Sequence, residues 1–66
     1  MNKKTHTITL NTEFITLGQL LKLSKVVSTG GEVKAYLASN MVLVNQLEEK
    51  RRGRKLYKGD VVEFEG

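Results

Sequence analysis

The sequence predicts an α+β domain in which two short helices pack on one face of a small, mostly antiparallel sheet. Two capping boxes in close succession mark the helix starts, at Thr16/Gln19 and Thr29/Glu32. Alternating, β-branched runs lie near both ends of the chain, with a compact apolar run between the second helix and the last of them. At 66 residues there is room for one domain, taken here as residues 1–66.

Residues 5–10, Thr-His-Thr-Ile-Thr-Leu, alternate polar and apolar side chains and predict the first strand. His6 shares a face with Ile8 and Leu10, and residues 1–4 read as a frayed end. Residues 11–13 break the alternation. Thr16 is the N-cap of the first helix, with Ile15 and Leu20 at the spacing of a hydrophobic staple. Leu17, Leu20, Leu21 and Ser24 recur at helical spacing, flanked by Leu23 and Val27, which predicts a helix over residues 17–26. Thr29 caps a second helix over residues 31–39, with Val33, Tyr36 and Leu37 on its apolar stripe and Asn40 as a left-handed C-cap. Met41-Val42-Leu43-Val44 predicts a buried strand, Asn45-Gln46 a turn, and Lys58-Gly59-Asp60 another turn. Residues 61–65 predict the last strand, with Val62 and Phe64 on one face and Glu63 and Glu65 on the other. Phe14, Tyr36 and Phe64 read as core aromatics.

A chain this short buries only about 60% of its unfolded surface, so its core is thin. Cysteine is absent, which excludes disulfides and thiolate metal sites. One histidine with no acidic cluster beside it makes no metal site, and no cofactor or small-molecule substrate is expected. No acid–base or nucleophile constellation is present, so an enzyme is the least favoured class. No apolar run approaches a membrane span and no secretory signal is visible, which makes the cytoplasm the expected location.

Net charge is +4, and the excess is local. The run Lys50-Arg51-Arg52-Gly53-Arg54-Lys55-Leu56-Tyr57-Lys58 holds six of the eleven basic residues in nine positions and no acid. The remaining 57 residues carry five basic and seven acidic groups, a net of −2. Such a patch favours a polyanionic partner, and arginine at its centre matches phosphate geometry. Gly30 and Gly31 weaken the first turn of the second helix, and bare N–H groups there offer an anion site to which Lys34 adds charge. A tight turn between the helices explains the same glycines.

From Ile15 to Glu63 the chain resembles the S4 RNA-binding domain family. The residues that carry the resemblance are "ITLGQLLKLSKVVSTGGEVKAYL" for the two-helix segment, "NMVLVN" for the strand-turn signature and "LYKGDVVEF" for the closing strand. Thr29-Gly30-Gly31 and Arg51-Arg52-Gly53-Arg54-Lys55-Leu56 are similar to the pattern of the stand-alone, YaaA-like bacterial members. Gly30 and Gly31 stand where the wider family has an arginine, Asn40 replaces the glycine before the strand, and Gln46 replaces the glycine after Val44-Asn45. The resemblance implies an S4-like (alpha-L) fold and binding without chemistry to structured RNA, ribosomal RNA foremost and transfer RNA second, with the ribosomal subunit as a further partner. On this reading Arg51, Arg52, Arg54 and Lys55 contact phosphates and Gly53 lets the chain turn against the RNA backbone. Thr29, Gly30 and Gly31 offer backbone N–H groups, flanked by Lys25 and Lys34. Tyr57 is a base-stacking candidate that also reads as packing. The competing expectation is a protein-interaction module, docking the basic run on an acidic partner and offering the last strand as an exposed edge. Duplex DNA is disfavoured because helix two carries no series of base-reading side chains.

Overall fold

The computed structural model describes residues 3–9 and 13–65. Element order is β1 (Lys3–Thr7), β2 (Ile15–Thr16), α1 (Leu17–Leu23), α2 (Gly30–Ser39), β3 (Leu43–Val44), β4 (Leu47–Glu48), β5 (Lys55–Leu56) and β6 (Val61–Glu65). A four-stranded sheet runs β1-β6-β3-β4, and β2 pairs with β5 in a separate two-stranded ribbon. Every described pairing is antiparallel. The α+β class expected from the sequence is the class observed.

Both capping boxes form. Gln19 N–H donates to Thr16 Oγ1 at 3.2 Å while Thr16 N–H donates to Gln19 Oε1 at 2.9 Å. Thr29 and Glu32 repeat the exchange at the start of α2. Helix α1 stops at Leu23, earlier than the periodicity suggested. Ser24 and Lys25 turn the chain, and Lys25 adopts φ 65. The β-branched pair Val26-Val27 favours leaving the helix there, and Thr29 restarts it. Helix α2 begins at Gly30, one residue before the expected start. Asn40 caps α2 without a left-handed backbone. It is extended at φ −129, and its Nδ2 and backbone N–H both donate to Tyr36 O, so the side chain replaces the turn.

The leucine and valine stripes meet the sheet face that carries Val44, Val62 and Phe64, all nearly or fully buried. Tyr36 packs edge-on against Phe64, with ring centroids 6.4 Å apart. His6 stacks flat on the same ring at 4.9 Å, so its place on the Ile8 face is structural. Phe14 falls outside this core, and Leu23 at the end of α1 is exposed. The first strand includes Lys3 and Lys4, which the sequence read as frayed. Its expected last residue, Leu10, lies outside the described residues, as do Met1, Asn2, Asn11 and Thr12. Strand β6 pairs with β1 on one side and β3 on the other, which removes the exposed edge the protein-docking expectation assigned to it.

Asn45 and Gln46 have φ 52 and 71, the left-handed pair that a two-residue hairpin turn needs. Asn45 then fastens this turn to the start of β6. Its Nδ2 donates to Asp60 Oδ1 at 3.2 Å, and Val61 N–H donates to its Oδ1 at 3.0 Å. Asp60 Oδ2 accepts from Tyr57 N–H at 2.8 Å, the main cause holding its carboxyl below the usual range. Gly59 between them sits at φ +97, where a side chain would be strained. The Val-Asn and Gly-Asp signatures are thus two halves of one hydrogen-bonded corner.

Candidate nucleic-acid interface

The basic run is a docked segment rather than a free loop. Its carbonyls meet the first turn of α1: Leu17 N–H donates to Arg54 O and Gly18 N–H to Arg52 O, both at 2.9 Å. Two N–H groups that a helix start leaves without intrahelical partners are satisfied this way. Immediately beyond, Lys55 and Leu56 pair with Thr16 and Ile15. The approach is close at Gly18, where a Cβ would lie 3.3 Å from Arg52 O and 3.5 Å from Val33 Cγ1. Arg52 also reaches across to α2, donating from Nη1 to Gly30 O at 3.2 Å. One segment therefore bridges both helix starts, and an open depression of about 260 Å³ lies among Gln19, Lys22, Gly30, Arg52 and Gly53.

Glu49 organises the other half of the segment. Only 7% of it is exposed, and its carboxylate accepts five hydrogen bonds. Arg51 donates through Nε and Nη2, both at 3.0 Å, and Arg54 through Nη1 at 2.9 Å. The backbone N–H groups of Lys50 and Arg51 supply the rest. The Arg51 side chain is the main cause holding the Glu49 carboxyl down at about 2, against the opposing push of burial. The same pairing raises Arg51. Glu49 N–H donates to Val42 O, which ties the hub to the strand side of the core.

Cation availability follows from this pairing. Lys50 contacts Glu48 at 3.3 Å and donates to Leu37 O, and Arg51 and Arg54 share Glu49. Among the described residues, Arg52, Lys55 and Lys58 have no acidic partner. Lys55 Nζ instead stands 4.9 Å from the centroid of the Phe14 ring. At the α2 start, the Glu32 carboxylate accepts from the N–H groups of Ser28 and Thr29. That carboxylate satisfies the N–H groups at and just before the cap and adds the negative charge that a helix start favours. The N–H groups of Gly30 and Gly31 are the first-turn donors beyond its reach.

Of the sequence-derived site residues, Gly30, Arg52 and Gly53 line the shared depression. Arg51 and Arg54 lie on the same docked segment but face Glu49, and Lys55 lies on the β2–β5 ribbon. Thr29 is used in capping, while Lys25, Gly31 and Lys34 are exposed and line no part of the depression. Sequence reasoning missed Glu49, Gly18, Gln19 and Lys22. Glu49 adjoins the run it controls, and pairing it with Arg51 and Arg54 would have found it. No helix among the described residues is long and apolar enough to cross a membrane. Those residues also hold no cluster of three or more His, Asp or Glu side chains able to hold a metal ion.

Comparison with known proteins agrees with the architecture. The chain is 58% identical over 59 residues to a Bacillus subtilis protein described as "Probable ribosome maturation protein RlbA", an alignment spanning 89% of this chain and 83% of the relative. No solved structure matches significantly. The S4 domain family model matches residues 8–66, from the buried Ile8 through the docked basic segment to the last strand, and the chain belongs to the S4 domain family.

Proposed function

We propose that this chain is a non-catalytic module that binds structured RNA, ribosomal RNA foremost, through the face made by Arg52, Lys55, Lys58 and the two helix starts. The observation that carries the proposal is a docked segment displaying three cations without acidic partners, Arg52, Lys55 and Lys58, beside an open depression lined by Lys22 and by exposed backbone. A-form RNA hides its major-groove base edges, so a rigid array of cations reading phosphate spacing and helix shape is the physically suitable reader. Membership of the S4 family supports RNA as the partner. A relative described as a ribosome maturation protein supports a place in ribosome maturation in the cytoplasm. The module binds and does not modify, since the depression holds no general acid, base or nucleophile set.

Filter binding of the full chain to ribosomal RNA across a salt series tests this reading. Each phosphate contact contributes a slope of about −0.7 to −0.9 in log K against log salt, so three or more contacts give about −2 or steeper. Transfer RNA run in parallel ranks the two RNA classes. A flat salt response, or an acidic protein captured in preference to RNA, overturns the proposal.

A further inference from the structure

The β2–β5 ribbon has two unlike faces. Ile15 and Leu56 point into the core, Leu56 with no exposure at all. Pairing of Ile15 with Leu56 and Thr16 with Lys55 puts Thr16 and Lys55 on the opposite face, and the alternation extends that face to Phe14 and Tyr57. The contacts agree: Phe14 and Tyr57 rings lie 6.1 Å apart, tilted by 54°, and Lys55 stands over Phe14. Tyr57 remains 46% exposed and Phe14 is half-buried. Burial accounts for Leu56 but does not account for an aromatic pair directed outward.

We propose that this outward face, Phe14 and Tyr57 with Lys55 over the Phe14 ring, is a stacking site for an unpaired base of the bound RNA, an inference that rests on the RNA-binding reading above. Three observations select that occupant. The cation over Phe14 complements the phosphate that accompanies any base, so an uncharged apolar partner fits less well. Thr16 belongs both to this face and to the depression lined by Arg52 and Lys22, so the aromatic pair continues the same surface. Finally, Tyr57 is held at both backbone polar groups, its N–H donating to Asp60 Oδ2 and its carbonyl accepting from Asp60 N–H. A backbone held in place before binding leaves only the side chain to order when a base lands on the ring. Recognition of structured RNA often requires a splayed-out base at a loop or bulge beside the helical stem. This face would distinguish such a junction from plain duplex.

The test compares two RNA probes, a hairpin closed by unpaired adenines and the blunt duplex of the same stem. Tyr57→Leu should weaken hairpin binding about 5- to 150-fold, the range for one lost base stack. It should leave duplex binding within about twofold, and Tyr57→Phe should retain most of the hairpin affinity. Circular dichroism of each variant confirms the fold. The chain has two tyrosines and no tryptophan, so in a Tyr36→Phe background Tyr57 is the only strong intrinsic fluorophore. Its emission should be quenched by the hairpin more than by the duplex. Equal losses for both probes, or no loss for either, overturn the stacking site while the RNA-binding reading stands. Failure of the parent chain to bind either probe overturns both.

Discussion

Replacing Glu49 with alanine is expected to lower the stability of the domain by about 3 kcal/mol, measured by urea unfolding at neutral pH. Removing one member of a buried ion pair typically costs about 3–5 kcal/mol, because the remaining charge loses its partner. The lower end applies here, since the Arg51 side chain is 77% exposed and can be solvated when the carboxylate is gone. A domain of this length has about 3–10 kcal/mol in total, so the loss is a large share of it. Glu49→Gln keeps the shape and some of the hydrogen bonds, and should cost less. The same pairing predicts an acid transition. The Glu49 carboxyl is held down at about 2 in the folded chain, against 4.5 for the free group. A depressed carboxyl stabilises the fold fully above its unfolded value, so stability should fall as pH drops from about 4.5 towards 2. Screening on the Arg51 side limits that contribution to about 1–3 kcal/mol. In Glu49→Gln that part of the pH dependence should disappear.

The Arg52→Ala, Lys55→Ala double variant should lose RNA affinity by about tenfold or more at physiological salt. The slope of log K against log salt should become shallower by about 1.4 to 1.8 units, about 0.7 to 0.9 for each phosphate contact removed. Arg51→Ala should change the slope less, because Glu49 already offsets that charge at 3.0 Å. The contrast separates a clamp built from unpaired cations from a response to net charge alone, which would make every arginine in the run equivalent. Stability is not expected to interfere. The Arg52 hydrogen bond to Gly30 O is exposed, and such bonds contribute about 1 kcal/mol or less. Equal slopes for the parent chain and the double variant would place the clamp elsewhere.

Much of the fold was legible because its signals are local. Thr16/Gln19 and Thr29/Glu32 each satisfy their own helix start within four residues, and both boxes form as spaced. Strand β6 alternates over five residues, long enough for a period of two to register. Of the four two-residue strands, β2, β4 and β5 carry no period at all, and only their pairing partners define them. Lys25 shows the limit for helix ends, since its left-handed backbone has no glycine to announce it.

The candidate site divides along the same line. The charge run was visible as composition, whereas its internal pairing was not. Counting residues 50–58 as acid-free leaves out Glu49, the adjacent residue, whose carboxylate binds two of the run's arginines. Gly30 and Gly31 correctly marked a helix start, and the Glu32 that completes the capping box holds the N–H groups of Ser28 and Thr29 just before them. Gly18 gave no signal in one dimension. Its role depends on Arg52, 34 positions away in sequence, coming within van der Waals contact.

The central claim is that RNA lies across the two helix starts and the docked segment between them. Backbone amide shifts of the full 66-residue chain, followed by nuclear magnetic resonance during titration with a ribosomal RNA fragment, test it most directly. The largest changes are predicted at Gly18, Gln19, Gly30, Arg52, Gly53 and Lys55. Changes concentrated instead on Thr5, Leu43 and Glu63, along the sheet face turned away from the helices, would contradict it.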